Sequence, residues 1–315
     1  MNEPLVIARA FHLASTLLLA GTISFRCCVA APAFRAKACS ALEDGVRIRL
    51  ARIVWAALAV AMISGAAWLV FLASEISDVP VADAVSRGLA WIVLTQTEFG
   101  DDWMLRLEMA SLLAALLLLP SINPGFAYAT DIICALLAAG LAGSLAWAGH
   151  AAATEGFDGT VHLAGDALHL VAAGAWLGAL WPLAILLGGA RRAGDPVSAA
   201  IAHQATRRFS ILGIISVAAI LATGVVNTYE ILGTLALSLG TNYNRLLLVK
   251  IGLFIAMVCV AAVNRQRLTP RLSNARHRLD AIRQLERNSL TEAGLGLLIL
   301  GIVAVLGRIP PHLHE

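Results

Sequence analysis

Eight histidines stand in this sequence, and the spacing of four of them could build a metal site. His162, Asp166 and His169 fall at i, i+4 and i+7, so a helix would carry all three on one face. Trp176 continues that stripe one heptad further on. His12 and His169 sit in matching surroundings: A-F-H-L-A-S-T-L-L-L-A-G from Ala10 and A-L-H-L-V-A-A-G-A-W-L-G from Ala167. His150 and His162 flank a short polar stretch. Imidazole suits copper, zinc, iron and nickel, whereas carboxylate-rich sites suit hard cations. The expected ligands are therefore His12, His150, His162 and His169, with Asp166 orienting an imidazole or balancing the ion's charge. The plainer alternative makes each imidazole an interhelical hydrogen-bonding group. At the end of the sequence His312 and His314 form an H-x-H that could capture such a cation or be a solvated tail. Cys27 and Cys28 could pass on a soft ion as thiolates, or fill space as small apolar residues.

The elements that must hold these groups are membrane helices. Hydrophobic residues make up 59% of the chain, charged residues only 14%, and mean hydropathy is +0.80. A soluble domain needs roughly a quarter of its residues charged. A span needs about 20 mostly apolar residues. Stretches that qualify run over Leu5–Phe25, Ile53–Ala73, Trp103–Leu119, Phe126–Gly149, Val161–Leu187, Phe209–Ile231, Leu246–Val263 and Leu290–Gly307. The fold expected is all-α, a polytopic membrane bundle of about eight transmembrane helices. No signal peptide is read ahead of the first span; that stretch is long enough to stay as a helix. The run Gly88–Thr95 within 79–99 is too short to span, and it reads as an interfacial or re-entrant helix, or a capping loop.

Lys and Arg concentrate after the first, fifth and seventh spans, for example at Arg47, Arg49, Arg52, Arg191, Arg192, Arg265, Arg276 and Arg278. The connections after the second, fourth and sixth spans carry acids and only Arg87 and Arg245. The positive-inside rule then sets the arginine-rich side in the cytoplasm and both termini on the extracytoplasmic side. This topology puts His12, His150, His162, His169, His312 and His314 in the outer half or outside, and the five cysteines in the inner half.

The two halves also resemble each other. Besides the His12 and His169 segments, S-G-A-A-W from Ser64 matches T-G-V-V-N from Thr223. T-E-F-G with Arg106 nine residues after Thr97 matches T-N-Y-N with Lys250 nine residues after Thr241. The chain reads as a single membrane domain, 1–315, of half-repeats 1–150 and 151–315 in a 4+4 parallel arrangement. Arg106 and Lys250 are expected to snorkel outward or to pair with Asp166 or Glu230. Glu108, Asp131 and Glu292 receive no role.

Several segments together resemble the copper resistance D (CopD) family. They are T-E-F-G-D-D-W-M-L-R (Thr97–Arg106), A-G-H-A-A-A (Ala148–Ala153), H-L-A-G-D-A-L-H with W-L-G (His162–Gly178), T-G-V-V-N-T-Y (Thr223–Tyr229), Y-N-R-L-L-L-V-K (Tyr243–Lys250), N-R-Q-R-L-T-P (Asn264–Pro270) and S-L-T-E-A-G-L-G (Ser289–Gly296). The resemblance covers nearly the whole chain, and H-x3-D-x2-H with its Trp-Leu-Gly is its most specific part. Asn244 departs from it, standing where the family commonly has glycine. The resemblance implies an eight-helix inner-membrane protein of copper uptake or tolerance, with the copper ion as its metal. It also implies a CopC-type periplasmic copper-binding partner, here a separate chain, since only four residues precede the first span. Histidine spacing does not choose copper over zinc; the resemblance does.

The function expected is copper transport toward the cytoplasm along a histidine-lined path, with His150 and His162 as its mouth and His12 and His169 as a deeper site. Other classes remain beside it: a haem-binding electron-transfer protein with His12 and His169 as axial ligands, and a non-transporting copper sensor or assembly factor. No ATP-driving motif is present, and a non-enzymatic protein is expected, with membrane lipid and no nucleic acid as partner. The topology is checked in a background without the natural cysteines. A cysteine replacing Glu155 or His314 should react with an impermeant reagent outside intact spheroplasts, and one replacing Arg278 should not.

Overall fold

The computed structural model describes residues 3–36, 40–119, 124–148, 156–232, 239–307 and 309. Every regular element among them is helical. In hydrocarbon no water satisfies the backbone, so long apolar runs of Leu, Ala, Ile and Val close their own hydrogen bonds as helices. The helices are α1 (Glu3–Phe25), α2 (Ala31–Ala36), α3 (Ser40–Ile76), α4 (Val81–Ser86), α5 (Leu89–Gln96), α6 (Glu98–Leu118), α7 (Pro124–Gly143), α8 (Gly156–Ala193), α9 (Pro196–Leu232), α10 (Asn242–Val263), α11 (Thr269–Arg271) and α12 (Arg278–Leu306). Among the described residues seven helical stretches are long and apolar enough to cross a membrane. The third expected span, Trp103–Leu119, falls almost wholly in α6, which is 21 residues long but carries five charged side chains, among them Glu98 and Arg106.

Several helices outrun the bilayer. At 1.5 Å per residue, the 37 residues of α3 reach about 55 Å against a core of about 30 Å. The surplus is where the arginines are. Arg47, Arg49 and Arg52 lie exposed on α3, and Arg207 and Arg208 lie on α9. The arginine-rich connections expected as loops are thus largely helical. Between α8 and α9 only Gly194, in a left-handed conformation, and Asp195 break the helix. The Asp195 carboxylate accepts from the Ser198 hydroxyl and from the Val197 and Ser198 amides. These bonds, the Ser198 hydroxyl's first, hold its carboxyl below the usual aspartate range.

The segment 79–99 forms two short helices, α4 and α5, joined at Arg87 and the left-handed Gly88. The eight residues of α5 extend about 12 Å, too little to span. They pack on α3 and α6, with Trp91 outward. α6 begins five residues before the expected Trp103, because the Thr97 hydroxyl accepts the Gly100 amide at 3.1 Å and caps it. Thr241 caps α10 in the same way through the Asn244 amide, at 3.2 Å. The departure at Asn244 therefore leaves the turn unchanged. Gly100 is needed where it stands because the Leu94 carbonyl would collide with a Cβ there.

At the centre α1 and α8 pack against each other and against most of the remaining long helices. Their backbones meet at glycine. A Cβ on Gly178 would run into the Leu17 carbonyl, and one on Gly21 would run into Gly174 and Gly178. Small residues four apart allow this approach, which dispersion then rewards where lipid offers no hydrophobic drive. The contacts are reciprocal: a shift of 157 positions, the separation of His12 and His169, carries Leu17 to Gly174 and Gly21 to Gly178, and it exchanges the Leu17–Gly178 contact with the Gly21–Gly174 contact.

The apolar residues exposed on α9, α10 and α12, such as Ile215, Ile255 and Leu297, form the lipid face. Gly178→Ala should lower the thermal stability of the purified protein by about 1–3 kcal/mol, the usual cost of forcing atoms into a packed contact. Gly252→Ala, where a Cβ meets open space, should be neutral or stabilising by up to about 1 kcal/mol.

Candidate functional site

His12 lies on α1 inside the first half-bundle and is 2% exposed. Its Nδ1 is 2.9 Å from the Ala61 carbonyl of α3. A carbonyl only accepts, so Nδ1 carries the hydrogen and Nε2 keeps its lone pair. That Nε2 is buried and has no hydrogen-bond partner among the described residues. The ring is boxed by Trp68 and Trp103, at centroid distances of 5.7 and 5.1 Å. Gly65 makes the room, since a Cβ there would meet the Trp103 ring and lie 3.2 Å from His12 Cε1. A cavity of about 10 Å³ beside the imidazole is lined by Thr16, Met62, Arg106 and Leu141 among others. Such a volume suits one water or one bare ion.

Arg106 does not snorkel. It is 1% exposed and turns inward, donating from Nε to the Ser144 hydroxyl at 3.1 Å and from Nη2 to the Ser144 carbonyl at 2.6 Å. Its guanidinium lies 5.2 Å from the centroid of the Trp103 ring.

His169 occupies the corresponding place in the second half. Its Nδ1 is 2.9 Å from the Thr223 hydroxyl of α9. That hydroxyl spends its own hydrogen on the Ala219 carbonyl at 2.6 Å, so toward His169 it accepts. His169 is therefore also the Nδ1–H tautomer with Nε2 left as the lone-pair nitrogen. Gly224 stands beside it as Gly65 stands beside His12. The walls differ. Where the first half has Trp68, the second has Asn227, whose amide donates to Asp166 at 3.0 Å. Where it has Trp103, the second has Leu247. Lys250 is close enough to act electrostatically on both Asp166 and His169. His162, one further turn toward the start of α8, is 3% exposed, with its buried Nδ1 unpartnered among the described residues. His162, Asp166 and His169 thus form a polar strip on α8, with α9 supplying Thr223 and Asn227 to its inner two members.

His12 and His169 do not face each other. Each lies nine residues from the glycine at which the two helices touch, and nine residues at about 100° each is half a turn. The imidazoles therefore point away from the α1–α8 contact, His12 toward α3 and His169 toward α9. Among the described residues no three His, Cys, Asp or Glu side chains gather closely enough to hold a metal ion. His150, His312 and His314 lie outside the described residues. Cys27 and Cys28 lie in a π-helical turn, Arg26–Ala30, at the end of α1. The Cys27 thiol donates to the Asp131 carbonyl at 3.2 Å, and Cys28 is exposed. Arg26 pairs with the Asp131 carboxylate at 2.6 Å.

The residues missed as site members are Trp68, Trp103, Thr223 and Asn227. Three of them belong to the similar segments Ser64–Trp68 and Thr223–Asn227. The signal was present in Thr223 and Asn227, two polar residues one turn apart at the end of the apolar run that begins at Val217.

Comparison with known proteins gives the following. Residues 1–160 match the family described as copper resistance protein D-like, N-terminal domain, and residues 203–306 match copper resistance protein D. Copper resistance protein D of Pseudomonas syringae pv. tomato is 32% identical over 265 residues, 80% of this chain and 84% of that protein. Inner membrane protein YebZ of Escherichia coli (strain K12) is 30% identical over 70% of this chain and 72% of its own length. Copper transport protein CutJ of Bacillus subtilis (strain 168) is 30% identical over 69% of this chain and 38% of that protein. No solved structure matches.

The imidazole geometry is checked by nitrogen NMR of the histidine-labelled protein in lipid at neutral pH. His12 and His169 should both show the Nδ1–H tautomer. An Nε2–H tautomer at either would remove the lone pair on which ligation depends.

Proposed function

The chain belongs to the copper resistance protein D family, and from that premise we propose that it carries copper across the inner membrane from the periplasm toward the cytoplasm. The observation that supports this reading is the matched pair of imidazoles. Each has Nδ1 fixed by an oxygen acceptor, the arrangement that orients metal-binding histidines, and the buried Nε2 of His12 has no partner among the described residues. On this reading His150 and His162 form the mouth, and His169 and His12 are two separate stations, one in each half-repeat. Asp166, held by Asn227, balances the ion's charge in the second half. Met62 adds a thioether beside His12, a donor suited to Cu(I). His312 and His314 capture copper delivered by a separate CopC-type protein, and Cys27 and Cys28 lie on the exit side.

The direction follows from charge. The arginine-rich helix extensions face the cytoplasm under the positive-inside rule, and both termini are periplasmic. A monovalent cation moving inward gains about 2.3 kcal/mol per 100 mV. Haem ligation by His12 fits poorly, because Trp68 and Trp103 fill the space a porphyrin would need and leave a cavity of about 10 Å³.

The test is radiocopper uptake into oriented vesicles with an imposed inside-negative potential. His169→Ala should remove most uptake, as should His12→Ala. Asp166→Asn should lower affinity roughly 10–100-fold, the usual effect of losing a group that supports a ligand. Replacing His312 and His314 together should weaken capture without abolishing transport. Because imidazole ligates only when neutral, binding should weaken as the pH is lowered into the range where the histidines take up protons. Unchanged uptake in folded His12→Ala and His169→Ala proteins would leave both as interhelical hydrogen-bonding groups.

A further inference from the structure

A second buried polar cluster lies away from the histidines, toward the arginine-rich face. On α12 the residues Leu285, Ser289, Glu292, Gly296 and Ile299 form one buried stripe at helical spacing, and Glu292 is 1% exposed. One carboxyl oxygen accepts from the Asn264 amide at 2.7 Å. The other is buried and has no partner among the described residues. Asn264 in turn accepts from the Asn288 amide at 2.6 Å, and Asn288 is partly exposed. The chain of hydrogen bonds therefore runs from the surface, through two amides, to a carboxyl.

The backbone is unusual at the same place. Asn264 opens a π-helical turn, Asn264–Leu268, at the end of α10. Such widened turns recur at functional positions, because they free backbone groups and re-aim side chains.

The charged groups on the elements around α12 are engaged elsewhere. Arg191 of α8 pairs with Glu286 at 2.8 Å, six residues from Glu292, which is about 9 Å along the helix. Arg265 bonds Ser210, Lys250 of α10 acts on Asp166, and Arg9 and Arg26 of α1 are held at Gly307 and Asp131. Among the described residues no cationic side chain pairs with Glu292. The strip of His162, Asp166 and His169 lies toward the opposite end of α8. A lone carboxylate inside a membrane bundle is too costly to keep, so its balancing charge must be bound with it. The ligand this site takes is a cation small enough to sit on one oxygen beside a packed stripe, and a proton meets that description.

We propose that Glu292 is a proton-binding site of the arginine-rich half of the bundle, exchanging its proton with water that reaches it from that face along the polar path marked by Asn288 and Asn264. The site is independent of whether copper crosses the protein, since it rests on no histidine. A carboxyl that stays protonated keeps its C=O stretching band at a pH far above the ordinary glutamate pKa of about 4.3. The test is infrared spectroscopy of the full chain in lipid nanodiscs. The wild-type protein should show that band at neutral pH, and it should shift on deuteration. Glu292→Gln, which is uncharged and nearly the same shape, should lose the band, whereas Glu108→Gln should keep it. If the glutamine variant does not fold, Glu292→Asp should retain a band of altered frequency. Asn288→Leu should slow deuterium exchange of the band at least several-fold. Absence of the band in the wild type, or its survival in Glu292→Gln, would overturn the site. Unaltered exchange in Asn288→Leu would overturn the route.

Discussion

The backbone contact of α1 with α8 at Gly21, Gly174 and Gly178 is the constraint on which the rest of the structure depends. No side chain separates the two helices there, so their relative rotation has little freedom. Any face of α1 half a turn from Gly21 must point into the first half-bundle, and the same holds for α8 and Gly178. His12 and His169 lie on those faces. α3 and α9 then supply the oxygen that fixes each Nδ1, and Gly65 and Gly224 make space for each ring. One close approach between α1 and α8 thus decides where the two imidazoles are aimed.

Around this common frame the halves are unlike. His12 is enclosed by indole rings and a buried guanidinium held by Ser144. His169 is flanked by a hydroxyl, a carboxylate and an amide on neighbouring turns. Asp166 and Lys250 stand close to His169, whereas the lone-pair nitrogen of His12 lies near Arg106, ring faces and the Met62 thioether.

Much of this was legible in the residues. Long apolar runs locate the helices, because hydrocarbon leaves the backbone no other way to satisfy itself. The threonines at 97 and 241, matched across the repeat, proved to be the caps that start α6 and α10. Arg47 to Arg52 and Arg207 to Arg208 looked like loops, since charge ends an apolar window, but charge does not end a helix that has already left the bilayer. The direction in which His12 and His169 face was not legible. Spacing fixes which residues share a face, and only the packing partner fixes where that face points. The glycines that settle it were visible in the matched segments, yet composition alone does not say which glycine is a contact. Arg106 was read as a residue reaching for water, because nothing local announces the Ser144 partner 38 positions away.

The central claim is that copper is held at two imidazole stations that do not share the ion. X-ray absorption and copper stoichiometry of the loaded protein in nanodiscs address it directly, comparing wild type with His12→Ala, His169→Ala and the double variant. The account predicts that each single variant loses its own station's nitrogen scattering and part of the bound copper while the other station persists, and that the double variant loses both. Complete loss of copper in either single variant would mean one shared site, and full retention in the double variant would place copper on other residues altogether.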